Sequence, residues 1–152
     1  MNSTPLPITD LSNAQRLVKQ HGPDLRFSHA WNKWLVWDGR RWKLDDTGEV
    51  FRRAKATAHY IYQEAAAASN ARDRLQLENW AVRSESASRL AAMVKLAESE
   101  ADIPIVPDEL DSNSWTLNVQ NGTVDLKTAQ LLPHDGHALM TKLAPVDFDS
   151  NA

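Results

Sequence analysis

Residues 34–42 read Trp34-Leu35-Val36-Trp37-Asp38-Gly39-Arg40-Arg41-Trp42, with aromatic and aliphatic side chains on both sides of a turn dipeptide. Asp-Gly supplies the two central residues of a tight hairpin, because both positions of that turn favour residues that tolerate positive φ. With Asp38-Gly39 at the centre, Leu35 falls across from Trp42, Trp37 across from Arg40, and Lys33 across from Leu44. That side is largely apolar, and Trp37 and Trp42 on it are expected to stabilise the fold. The other side carries Trp34, Val36, Arg41 and Lys43, two apolar bodies across from two positive charges. Such a surface could hold a single nucleic-acid strand by stacking and phosphate contact, each stacked base contributing about 1–3 kcal/mol. Tryptophans in a small sheet more often serve as core or subdomain contacts, so a structural reading stands beside that one.

Upstream of the hairpin, residues 12–21 predict a short helix, with Ser12 and Gln15 at capping-box spacing and Gly22-Pro23 as the stop. Residues 1–11 are expected to be a flexible N-terminus. Downstream, Asp45-Asp46-Thr47-Gly48 marks a turn, and Val50 to Ala68 predicts a helix with Val50, Ala54, Ala58, Ile61, Tyr62 and Ala65 toward one side. Arg52, Arg53 and Lys55 on this helix are solvated, or extend the basic side of the hairpin. Two further helices are expected over Leu75 to Arg83 and Ser86 to Glu98, with Ser84 and Ser86 as caps rather than nucleophiles. Ile103-Pro104-Ile105-Val106-Pro107 imposes an extended connector. Asn121-Gly122 then centres a second hairpin, pairing Val119 with Val124 and Leu117 with Leu126, and extended chain is expected at Gln130 to Leu132 and Leu139 to Ala144. The order of elements predicts an α+β class, a helical bundle packed with short antiparallel β-hairpins. Residues 12–152 make one domain or two tightly joined subdomains.

Composition removes several chemistries. The 152 residues include no cysteine, so disulfides, thiolate nucleophiles and thiolate metal sites are excluded together. No apolar run approaches the roughly 18 residues of a membrane span, and a cytoplasmic protein with no membrane partner is expected. A formal net charge of −3 does not advertise nucleic-acid binding, but Arg40, Arg41, Lys43, Arg52, Arg53 and Lys55 crowd one stretch. Five isolated glycines cannot build a phosphate-binding loop or a dinucleotide fingerprint, so no nucleotide cofactor is expected in this segment. Asp108, Glu109 and Asp111 read as a loop or helix start rather than a magnesium site. His134-Asp135-Gly136-His137, with Asp147 and Asp149 nearby in sequence, is the most reasonable ligand set for a metal-dependent nuclease or small hydrolase. Pro133 and Gly136 suit a turn better, and neither a metal nor a catalytic residue is assigned.

Six strings in this order, SNAQRLVKQHGPDLRF, WLVWDGRRW, SESASRLAAMVKLAESE, PDELDSNSW, LNVQNGTVDL and LLPHDGHALMTKLAP, spread over residues 12–152. Together they resemble the region just upstream of the superfamily 3 helicase in phage, plasmid and poxvirus-type primase/helicases. The resemblance implies a larger DNA replication protein, often with a primase part first and a hexameric ATP-dependent DNA helicase after. ATP and magnesium are then expected only in an adjoining helicase domain, and this chain reads as a fragment or detached copy. Its expected role is accessory: positioning single-stranded DNA or adjoining helicase subunits, with a purely structural adaptor as the alternative. The DNA-binding candidates are Trp34, Arg41, Lys43, Arg52, Arg53 and Lys55.

Overall fold

A computed structural model describes residues 6–152, so residues 1–5 of the expected flexible N-terminus lie outside the described residues. The class is α+β, with four α-helices and two three-stranded antiparallel sheets among the described residues. The described residues divide into two compact units, one of residues 6–22 and 46–103, the other of residues 23–45 and 104–152.

The first unit is helical: α1 Asp10–His21, α2 Glu49–Ala66, α3 Ala71–Ser84 and α4 Ala87–Ala97. α1 begins two residues before the expected start, because Thr9 rather than Ser12 is the cap. The Thr9 side chain accepts from the Ser12 N–H at 3.0 Å, and Asp10 in the first turn suits the positive end of the helix. α3 also begins early, at Ala71, since Asn70 caps it by accepting from the Asp73 N–H at 2.8 Å. Ser86 caps α4, whereas Ser84 is the buried last residue of α3.

The core of this unit gathers Ile61, Ala65, Leu77, Trp80 and Ala81, with Ile8, Tyr62 and Ala68 packed against it. The alanines of α2 let α3 approach closely, and Trp80 fills the space they leave. Asn13 is fully buried there, donating to Ser84 Oγ at 3.0 Å and accepting from Trp80 Nε1 at 3.0 Å and Arg16 at 3.3 Å. Arg16, itself 1% exposed, is held by Glu64 at 2.9 Å and by the carbonyls of Leu6 and Pro7. A buried guanidinium persists only when charge and donors are both satisfied, and here they are.

In the second unit one sheet has the order β1 Leu25–Ser28, β2 Lys33–Trp37, β3 Trp42–Leu44. The hairpin is where the sequence places it, but its register differs by two residues. Trp37 pairs with Trp42, Val36 with Lys43 and Leu35 with Leu44. Asp38 N–H donates to the Arg41 carbonyl at 3.1 Å, so the central residues are Gly39 and Arg40, with Gly39 at φ 96°. The Asp38 carboxylate explains the shift. It accepts from the N–H groups of Arg40 at 2.8 Å and Arg41 at 2.9 Å, a turn of its own that leaves positive φ to the glycine. A shift of two residues leaves every side chain on its expected face. Leu35 and Trp42 are buried with Ile105, and Trp37, Leu110 and Leu139 pack on them. The connector at Ile103 to Pro107 extends this sheet, since Ile105 N–H donates to the Phe27 carbonyl at 2.9 Å.

The other sheet has the order β4 Thr116–Val119, β5 Gly122–Asp125, β6 Gln130–Leu132. Its register also differs by two: Val119 pairs with Gly122 and Leu117 with Val124, so Gln120 and Asn121 form the turn. Gly122 is a strand residue because β6 passes too close for a side chain. A Cβ there would sit 2.3 Å from the Leu132 carbonyl oxygen. The extended chain expected over Leu139 to Ala144 is not a strand, as Leu139 adopts φ 53° after a 3₁₀ turn at Gly136–Ala138. It contributes one bridge, from Ala144 to Val119. No helix among the described residues is long and apolar enough to cross a membrane.

Candidate nucleic-acid interface

The expected DNA-binding residues fall in both units, and the structure places each set within its own. In the helical unit, Arg52 and Arg53 are held at the start of α2 by Glu49, at 2.7 Å and 2.9 Å. Arg52 also donates to Thr47, and Arg53 contacts His21 Nδ1 at 3.3 Å. Hydrogen bonds from Arg53, then Arg52, hold the Glu49 carboxyl below its ordinary value. One carboxylate thus fixes both guanidinium groups while offsetting only one of their two charges, and Lys55 is exposed beyond them.

In the second unit Val36 is buried and Trp34 half-buried, its ring edge-on to Phe27 at 5.1 Å. Trp34 Nε1 is buried with no acceptor. Lys43 is exposed across from Val36. Arg41 lies in the turn, 3.9 Å from the Asp38 carboxylate, with its Nε buried and unpaired. Trp42 is 1% exposed, donates its Nε1–H to the Gly136 carbonyl at 2.8 Å, and carries the Arg26 guanidinium over its ring at 4.9 Å. Trp37 is half-buried, 5.7 Å from Trp42 between ring centres.

The exposed tryptophans are others. Trp31, 46% exposed, sits in the turn between β1 and β2, and Trp115, 54% exposed, lies just before β4 beneath the Lys127 ammonium. Trp31 lies outside any alternating stretch, whereas Trp115 opens the alternation Trp115, Leu117, Val119, which marks a strand but not which face stays exposed. Pairing aligns Leu117, Val124 and Leu131 on one face of the β4–β6 sheet, and Trp115 and Leu126 continue it. Trp115, Leu117, Leu126 and Leu131 on this face are all exposed.

One juxtaposition joins residues far apart in sequence. Trp42 N–H donates to the Met140 carbonyl at 2.8 Å, and the Asn118 amide donates to the carbonyls of both Arg40 at 2.8 Å and Lys142 at 3.0 Å. Residues 40–42 and 140–142 thus run side by side, with Asn118 in the place of a ladder bond. The Asn118 oxygen accepts from Thr123 Oγ1 at 3.2 Å and lies 2.9 Å from His134 Nδ1.

The histidine and acidic cluster is also placed. His134 has Asn118 on one ring nitrogen and the Gln120 carbonyl on the other, at 3.1 Å. His137 contacts Asp135 at 3.1 Å, and the backbone and then the side chain of His137 hold the Asp135 carboxyl below its ordinary value. Glu109 accepts from the Val106 N–H, and Asp111 from the Thr141 backbone and hydroxyl. Among the described residues no three histidine or carboxylate side chains gather as a metal site.

What this geometry defines is an α+β domain with free surface cations and exposed aromatic and aliphatic side chains on its sheets. A family model described as D5 N terminal like matches residues 14–152, and the chain belongs to that family, the N-terminal domain of D5-like primase/helicase proteins. The family points to phage and viral replication. No curated protein matches the chain.

Proposed function

We propose that this domain positions single-stranded DNA for the helicase of a larger D5-like replication protein. The observation that supports it most is the end of the β2–β3 hairpin in a domain of this family. Lys43 is exposed there, and the Arg41 side chain, anchored by a buried Nε, is 40% exposed. Such cations hold a strand by its phosphates, independently of base sequence. ATP and magnesium belong, on this reading, to the adjoining helicase domain, and the protein works in the cytoplasm without a membrane partner. The test is the affinity of the chain for a labelled oligo-dT across a salt series. Replacing Arg41 and Lys43 by glutamine should weaken binding and flatten its salt dependence by about 0.7 per lost phosphate contact. Unchanged binding would remove the assignment.

A second reading, attachment to helicase subunits, is favoured by the exposed face of Trp115, Leu117, Leu126 and Leu131, since contiguous apolar surface of this kind marks interaction sites. Leu117→Ser with Leu131→Ser should then weaken association with the helicase domain while leaving oligo-dT binding intact.

A further inference from the structure

Arg40 and Lys142 lie outside the contact just assigned, yet they are the cations that the fold goes furthest to bring together. Their carbonyls share one amide nitrogen, so the two oxygens can be no further apart than the sum of its 2.8 and 3.0 Å bonds. Asn118, 3% exposed, has both donors and its acceptor engaged, which holds the two backbones against each other. Both side chains are exposed. Neither makes an ion pair or side-chain hydrogen bond with a described residue, and three carboxylates near them in chain or contact are engaged by other groups. Asp38 accepts two turn N–H groups, Asp111 is bound to the Thr141 N–H and hydroxyl, and Asp135 is bound to His137. The result is two exposed cations that form no ion pair, in a unit where acidic residues outnumber basic ones, with the Arg41 guanidinium next in the chain to Arg40.

We infer that Arg40 and Lys142 form a two-point contact for consecutive phosphates of single-stranded DNA, with the Asn118 amide holding the two segments in register. This inference rests on the single-strand reading above. A guanidinium and an ammonium on adjacent backbones can each take one phosphate, whereas a compact single-anion site would need converging donors and burial. The contact reads backbone charge, so it carries no preference for base.

The experiment first compares three proteins by fluorescence anisotropy with labelled oligo-dT over a salt series, before a charge-retaining fourth: the unmodified chain, Arg40→Gln with Lys142→Gln, and Arg72→Gln with Arg74→Gln. The last pair removes the same charge from exposed positions of α3. Loss of two phosphate contacts on a single strand should lower the log–log salt slope by about 1.4 in the first variant. The α3 variant should keep the slope of the unmodified chain. Arg40→Lys with Lys142→Arg should restore the slope, which a folding defect would not permit. Equal slopes in the two glutamine variants, with the unmodified chain binding normally, would overturn this inference and leave the single-strand reading standing. No oligo-dT binding by the unmodified chain would overturn both, and binding confined to oligo-rU would replace DNA by RNA.

Discussion

Trp42→Ala tests the sheet core at its largest fully buried side chain. The indole packs with Leu35 and Ile105, supports Trp37, and is the platform for Arg26. Truncating a buried tryptophan costs about 3–5 kcal/mol, the upper end applying where neighbours cannot collapse into the space. Collapse is restricted here, because Leu35 is pinned by strand pairing on both sides, Trp37 by its pairing with β3, and the Gly136 turn sits against the rings, where an added Cβ would lie 3.7 Å from Trp42. The Nε1–H bond to Gly136 adds about 1 kcal/mol, partly recovered by water because Gly136 is only half-buried. The expected loss is about 4 kcal/mol, which in a chain of this length lowers the melting temperature by roughly 8–16 °C. Circular dichroism in a urea series is the assay, since fluorescence mixes six tryptophans. A variant within about 1 kcal/mol of the parent would show that Trp42 is not an anchor of the sheet.

Two further outcomes follow from local geometry. Glu49 has its folded-state carboxyl value lowered by Arg53 and Arg52, so its stabilisation is complete above the ordinary value of 4.5 and is lost as pH falls through the folded value. Acid unfolding of Glu49→Gln should therefore be less steep below that value, by a small amount since the pair is partly solvated, and a parallel acid limb would refute it. Gly122→Ala should destabilise by about 2 kcal/mol or more, as its Cβ would meet the Leu132 carbonyl oxygen at 2.3 Å. Gly39→Ala, with nothing near its Cβ, should cost only the roughly 1–2 kcal/mol of its positive φ, and thermal melts of the pair decide whether close approach or turn geometry matters more at Gly122.

Periodicity revealed the helices because Val50, Ala54, Ala58, Ile61 and Ala65 recur at helical spacing and are all buried. Helix starts were less visible where two caps compete, as Thr9 and Ser12 do. Both hairpins could be read from their turns, yet both registers moved by two, since a turn dipeptide says that the chain reverses but not which atoms close the loop. The Asp38 carboxylate decided one case and the passage of β6 decided the other. β1 was invisible because Leu25 and Phe27 alone carry its alternation, and its partner β2 does the rest. Among the candidate site residues, Lys43 keeps to the Val36 side as a two-residue shift requires, whereas Arg41, expected on a strand, falls in the turn. Arg52 and Arg53 differ because Glu49, one turn away on the same helix, fixes both side chains and offsets one of their charges.

The residues that no local pattern could place depend on two buried amides. Asn13 joins Ser84, Trp80 and Arg16, and Asn118 joins Arg40, Lys142, Thr123 and His134. Asparagine is ordinarily a turn former, and a sequence reading assigns it to the surface. Once buried, it has two donors and an acceptor to satisfy, and each left unmade costs about 1–3 kcal/mol. Apolar packing tolerates a sliding neighbour, but an amide with every position filled accepts one arrangement. Asn118 thereby converts a separation of a hundred residues into adjacent backbones. The same bonds that exclude alternative packings of the turn, the β4–β5 hairpin and the chain at Lys142 bring the backbones of two cationic residues together. Fold specificity and the proposed phosphate contact therefore rest on one side chain, which is why neither is separately written in the sequence around Arg40 or Lys142.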